Sequence, residues 1–445
     1  MGDRLTRNAE GIGLFPASNI VVANMIGAGI FTTSGLLMSG LNNPVWLIIL
    51  WVAGGILALC GALAYAMLGA AIPRAGGEYI FLSRLYHPLL GFLSGWVSFV
   101  VGFSAPIAAS AIGFSEYVAR AFPQMAGLSK VLAISVILLF TLVHLRGLQF
   151  GTMVQNGLTL LKVLLIVLLI MAGLFLGNGS LHHFSEGQPA DLGAGGIKTM
   201  GLSLMWIMFA YSGWNASTYI GSEITNPGRN IPRSLLMGTG IVMILYVLLN
   251  LVYVYAIPPE EMKGVISIGG LAVRNLFGSA MEVVFSLLIA FALFSSLSAF
   301  IILGPRVYYA MAADGYFFRF VSNIHPRFKV PSGAILLQAA IAILMVLSGT
   351  FDQILTYMGF SLGIFPILAV AGVFKLVKSH PAALRFRGYP FFVLIYLFFG
   401  VTMLILSFLE RPAESSIALI TVFSGIPVFL LFRRNLNHRT GQRLE

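Results

Sequence analysis

Asn24-Met25-Ile26-Gly27-Ala28-Gly29-Ile30-Phe31 puts two glycines near the middle of an apolar run spanning residues 12–39. A run of that length matches the ~20 residues a helix needs to cross a bilayer. A helix broken at mid-depth strands N–H and C=O groups in lipid, which is tolerated only where they line a cavity or meet a ligand. A second interrupted run, Phe209-Ala210-Tyr211-Ser212-Gly213-Trp214-Asn215, has Ser, Gly and Asn at a similar depth. Paired interruptions in corresponding segments point to a transporter site at a repeat interface.

Composition supports the membrane reading. The chain is 58% hydrophobic and 9% charged, whereas a soluble domain carries about 25% charged residues. Its 445 residues leave room for roughly twelve spanning helices and no soluble domain. Long continuous apolar runs argue against a barrel of short alternating strands. Helices are predicted over 12–39, 44–72, 89–121, 128–146, 152–176, 197–225, 232–257, 280–313, 333–349, 353–378, 389–409 and 414–432. The interrupted runs are then the first and sixth helices. Two five-helix halves, 12–176 and 197–378, would place them at matching positions, and an odd number per half inverts one half relative to the other. Helices 389–409 and 414–432 form an appendage, and 1–11 and 433–445 read as polar tails.

Of the 26 Lys and Arg residues, 19 fall on the side of the N-terminus when loops alternate, 6 fall on the other side, and Lys162 lies within a helix. The positive-inside rule therefore predicts that both termini are cytoplasmic, with the chain in the cell membrane. The net charge of +11 is spread singly between apolar runs, so no nucleic-acid surface is expected. Cys60, the only cysteine, excludes an internal disulfide and a thiolate metal cluster. The first apolar run lacks an Ala-x-Ala exit, so no cleaved signal peptide is expected.

N–H groups at the start of a second half-helix, near Ala28, Gly29 and Ile30, sit at a positive dipole end and suit a carboxylate. Carbonyls freed in the sixth helix at Phe209, Ala210 and Ser212 suit an ammonium. Together they describe a receptor for the zwitterionic head of an α-amino acid. Close packing of glycines between helices is the structural alternative. Gly-Ala-Gly-Ile-Phe-Thr is neither a phosphate loop nor a dinucleotide fingerprint, and neither a paired carboxylate nor a Ser-His-Asp set lies in the spans. No enzyme, cofactor or metal site is expected; His87, His182 and His183 read as solvated loop residues.

These stretches, with Glu223-Ile-Thr-Asn-Pro-Gly-Arg-Asn-Ile-Pro-Arg233 and Gly304-Pro-Arg-Val-Tyr-Tyr-Ala-Met-Ala312, resemble the amino acid-polyamine-organocation (APC) superfamily. The likeness is strongest to its L-type and cationic amino acid transporter branches and their bacterial relatives. It runs in order over the first ten helices, and the last two match by count alone. The resemblance implies a five-plus-five inverted repeat working by alternating access. It implies amides of Ala28 and Gly29 for the substrate carboxylate, carbonyls of Met25, Phe209, Ala210 and Ser212 for the amine, and Phe209 as an aromatic gate. Met25, Ile26, Gly27, Ala28, Gly29, Ile30, Phe209, Ala210, Ser212, Gly213 and Asn215 are thus the candidate substrate-binding residues. Many relatives have Ser where this chain has Ala28, so backbone amides stand without a hydroxyl.

Lys162 lies about ten residues, ~15 Å of helical rise, from the near end of the fifth helix. At that depth a lysine costs ~2.5–3.5 kcal/mol on insertion scales, so a partner, a function or a side chain snorkelling to the interface is expected. In sodium-independent relatives a lysine here resembles a fixed substitute for a sodium ion, touching the broken first helix and a hydroxyl on the eighth. Ser296 or Ser298 is the candidate hydroxyl. Proton coupling through Lys162 and exchange both remain open. Glu223 follows the sixth-helix break and resembles part of a family network, with an ion pair to Arg229 or Arg233 as the plain alternative. The function expected is sodium-independent secondary active transport of neutral amino acids. Cationic amino acids or polyamines are the alternative, and a membrane sensor or passive channel is the alternative from another class. Amino acid and bilayer are the expected partners, with no obligatory protein partner. Gly29→Val is expected to block binding by filling the carboxylate position.

Overall fold

The computed structural model describes residues 12–146, 148–189, 191–328, 330–379 and 386–441, with the side chains of 148–156, 319 and 435–441 outside that description. The tail 1–11 and the basic residues Arg4, Arg7, Lys329, Arg385 and Arg443 used for orientation lie outside it. The described chain is helical, with one isolated parallel bridge, Ile12 to Ile224.

The first interrupted run folds as two helices, α1 (Leu14–Met25) and α2 (Ala28–Leu41). Then come α3 (Pro44–Ala71), α4 (Glu78–Leu85), α5 (Pro88–Val97), α6 (Ser104–Ala121), α7 (Ser129–Leu145), α8 (Leu148–Leu176) and α9 (Ala194–Ala210). Next come α10 (Pro227–Ala256), α11 (Pro259–Met262), α12 (Ile268–Phe277), α13 (Ser279–Ala313), α14 (Ser332–Ser348) and α15 (Phe351–Ser379). Two further helices, α16 (Phe391–Glu410) and α17 (Pro412–Gly441), close the chain. A π-turn at Ser98–Gly102 joins α5 to α6, and a 3-10 segment, Ala216–Glu223, follows the break after α9.

Local chemistry sets several of these ends. Asn43 accepts from Trp46 N at 3.0 Å and Pro44 occupies the first turn of α3, an N-cap followed by a residue whose missing N–H costs nothing there. Among the described residues ten helical stretches are long and apolar enough to cross a membrane, while α9 and α14 have 17 residues each. The structure departs from the expected boundaries in three places, the first being α4 (Glu78–Leu85), which lies between the expected helices 44–72 and 89–121. The stretch between α10 and α13, expected as a loop, contains α12, and the last helix runs to Gly441, past the expected end at 432.

Packing divides the spans. The broken first helix lies on α10 and α9, and α3 lies on α10 and α9; α6, α7, α13 and α14 pack on one another. α8 touches both groups, resting on α10 and α13. The most enclosed spans are the α1–α2 pair, α5–α6 and α13, whereas α7 and α17 present most of their apolar surface outward, as lipid-facing helices do.

Candidate functional site

At the first break Ile26 (φ −73°, ψ 91°) and Gly27 (φ −121°, ψ −158°) are extended. No side chain caps the start of α2, so its first N–H groups keep their capacity to meet a ligand. A Cβ placed on Gly29 would lie 2.5 Å from Ala210 Cα. Glycine here lets α2 and α9 touch, so a valine would have to force these two helices apart, whatever else it fills.

At the second break α9 ends at Ala210, and Gly213 turns the chain with φ +97°. A Cβ on Gly213 would lie 2.7 Å from the Asn24 carbonyl carbon, so both its conformation and its closeness to the first break require glycine. The two gaps therefore face each other. Tyr246, on α10, joins them: its hydroxyl lies 2.6 Å from Met25 O and 3.1 Å from Ala210 O. Phe209 O accepts from Ser212 N at 2.8 Å within the turn. Three of the carbonyls expected for an amine are thus engaged within the protein.

Lys162 is wholly buried on α8 and points into the first break. Its Nζ donates to Ala23 O at 2.9 Å and to Ile26 O. Ser296 on α13 donates to the same Ile26 oxygen at 3.1 Å. The side chain does not snorkel, and among the described residues no carboxylate pairs with it. Ser298, the other candidate, faces away and meets His144 Nε2 at 2.9 Å. Thr159, one turn from Lys162, lies 3.1 Å from Ser295. Glu223 pairs with Arg306 at 3.3 Å, and with neither Arg229 nor Arg233.

A cavity of about 120 Å³ lies beside the second break, walled by Phe209, Ser212, Gly213 and Asn215 from the sixth segment and by Asn24 from the first. Ala28, Gly29 and Ile30 are buried next to it and do not line it. Asn24 Nδ2 donates to Ile20 O at 2.8 Å, while its buried Oδ1 has no partner among the described residues, an acceptor set against the cavity wall. Asn24, Tyr246 and Glu78 are the residues that sequence reasoning missed. Asn24 opens the quoted stretch but was assigned no role, Tyr246 sits inside an uninterrupted apolar run, and Glu78 follows Gly76-Gly77 between two expected helices.

Apolar spans gathered around a cavity walled by two interrupted helices are the arrangement of a membrane transport protein. Residues 12–431 match the amino acid permease family model, and the chain belongs to that family, within the APC superfamily; it is a permease and not an enzyme. It is 29% identical to the large neutral amino acids transporter small subunit 2 of Mus musculus, covering 94% of this chain and 80% of that protein. The serine/threonine exchanger SteT of Bacillus subtilis (strain 168) is 29% identical over 94% of this chain and 95% of its own. The b(0,+)-type amino acid transporter 1 of Mus musculus is 28% identical, with coverages of 95% and 87%.

Proposed function

We propose that this permease exchanges neutral amino acids across the cell membrane by alternating access, without sodium. The opposed gaps in the first and sixth helices carry the proposal. The start of α2 has no side-chain cap, and its amides, though they do not line the cavity in this state, are assigned to the carboxylate; the turn after α9 has polar main chain, with Asn24 Oδ1 beside it, for an ammonium. Lys162 fills the place between α1, α8 and α13 where a cation would otherwise satisfy the exposed carbonyls, which supports sodium independence. Of the residues lining the cavity, only Glu78 is charged, and its oxygens already accept from three neutral donors. A cationic side chain would have to displace those donors, which favours neutral substrates over cationic ones.

The proposal includes twelve crossings, with α9 and α14 as the sixth and ninth. Seventeen residues rise ~26 Å, close to the ~30 Å hydrocarbon core. It also includes a repeat of 12–176 and 197–378, an appended α16–α17 pair and cytoplasmic termini. Phe209, in the cavity wall, is assigned the gate. The relatives that resemble this chain are named as transporters and an exchanger of amino acids, which supports exchange. Cys60 is buried in α3, so the permease is assigned no disulfide-linked partner.

Purified protein in liposomes tests this with a panel of labelled amino acids. Saturable uptake of neutral amino acids, accelerated by unlabelled amino acid inside and unchanged when choline replaces sodium, is the expected result. Sodium-dependent or non-saturable uptake would overturn the proposal. In the same assay Tyr246→Phe removes the hydroxyl that ties Met25 O to Ala210 O. Loss of a hydrogen bond that leaves buried acceptors unpaired costs ~1–3 kcal/mol, so uptake should fall about tenfold or more with yield and monodispersity unchanged. Undiminished uptake would remove Tyr246 from the working site.

A further inference from the structure

Glu78, the one charged group among the described residues of the cavity wall, has so far served only to favour neutral substrates. Gly76 (φ +124°) and Gly77 (φ +54°) turn the chain sharply after α3 and bring Glu78, the first residue of α4, into the interior at 4% exposure. Its Oε1 accepts from Tyr65 Oη at 2.7 Å and from Asn215 Nδ2 at 2.6 Å, and its Oε2 accepts from Tyr219 Oη at 2.5 Å. Hydrogen bonds to an ionised carboxylate are roughly twice as strong as neutral pairs.

The donors and the acceptor sit on different parts of the packing. Tyr65 belongs to α3, while Asn215 and Tyr219 belong to the link and the 3-10 segment after α9. Glu78 belongs to α4, which packs on α5 and α15. The next residue, Tyr79, donates to Asp314 Oδ2 at 2.5 Å, just beyond α13. Gly76 N donates to Tyr219 O at 3.2 Å. One carboxylate therefore ties α3 and the segment after α9 to α4, which packs on α5 and α15, on the face carrying the α3–α4 loop. If the cavity opens to that face by parting residues 215–223 from α4, two of the three bonds to Glu78 break.

We propose that Glu78 is a positioning residue that latches the cavity shut on the α3–α4 loop face, holding Asn215 and Tyr219 until the substrate-loaded carrier opens there. The inference rests on alternating access as assigned above.

Because Cys60 is the only cysteine, Cys60→Ala gives a thiol-free chain, and Val97→Cys then places a single thiol in the cavity wall. Reaction with a membrane-impermeant maleimide is timed from each face of oriented vesicles. Glu78→Ala should raise labelling from the loop face about tenfold and lower it from the opposite face, as a shift between two states of a carrier does. Tyr219→Phe removes one donor and leaves Glu78 in place; it should shift both rates in the same directions by about threefold, and it decides the matter if Glu78→Ala fails to fold. Rates unchanged in these variants, or raised equally from both faces as general loosening would do, would overturn the latch. If saturating neutral amino acid fails to slow labelling of the parent, the substrate assignment falls while the comparison of faces still judges Glu78.

Discussion

Lys162→Ala should reduce amino acid uptake in proteoliposomes by at least about 100-fold while the protein still inserts and purifies normally. Insertion is not at risk, because removing a mid-membrane lysine relieves a cost of ~2.5–3.5 kcal/mol on insertion scales. The loss falls on the site. Lys162 Nζ donates to Ala23 O and Ile26 O, and the Ser296 hydroxyl donates to Ile26 O. Hydrogen bonds to a charged group are worth ~1.5–3 kcal/mol each, so losing two exceeds the ~2.7 kcal/mol that corresponds to a hundredfold change. With the ammonium gone, α1 has no fixed cation to hold its broken end to α8 and α13. Ser298→Ala is the control, since Ser298 meets His144 on another side of α13; it should leave uptake within about threefold. Wild-type rates in Lys162→Ala would end the role assigned to the lysine.

Gly29→Val should abolish substrate binding measured on detergent-purified protein, and Gly29→Ala should weaken it nearly as far. The reason lies at the Cβ: any Cβ on residue 29 would stand 2.5 Å from Ala210 Cα and 2.6 Å from Ala210 Cβ, inside van der Waals contact with backbone that cannot rotate away. Overpacking of this kind costs ~1–3 kcal/mol, and relief comes only by parting α2 from α9 at the level of the two gaps. Binding should weaken about 5- to 150-fold for alanine. Steric filling of a carboxylate site would spare alanine and hit valine alone. Alanine binding as well as glycine would show that the two half-helices have room to spare.

The parts of the site that were legible in the sequence were those marked by residue types out of place in lipid. Glycines located both breaks, and a lone lysine in an apolar run located the Nζ donor between α1, α8 and α13. What stayed hidden depended on direction and distance. Ser296 and Ser298 differ by about 200° around a helix, so only coordinates show that the first meets Ile26 O and the second His144. Tyr246 is 221 residues from the Met25 carbonyl it bonds, and nothing in its own neighbourhood marks it. Glu78 falls between two expected helices after Gly76 and Gly77, whose positive φ angles carry it inward. Likewise the ten residues of α12 fall between the expected helices 232–257 and 280–313. Glu223 had two arginines close in sequence and paired with a third, Arg306, across the fold.

Competition in proteoliposomes among three forms of one substrate tests most directly whether the facing gaps grip both ends of a zwitterion. A transported neutral amino acid is set against its decarboxylated amine and its deaminated acid, each with the same side chain. The amino acid should compete with labelled substrate at micromolar concentration, and each one-ended analogue should be weaker by at least about 100-fold, the loss of a charge-assisted pair of hydrogen bonds. An amine or an acid that competes as well as the amino acid would mean that one of the two gaps does not bind the substrate head.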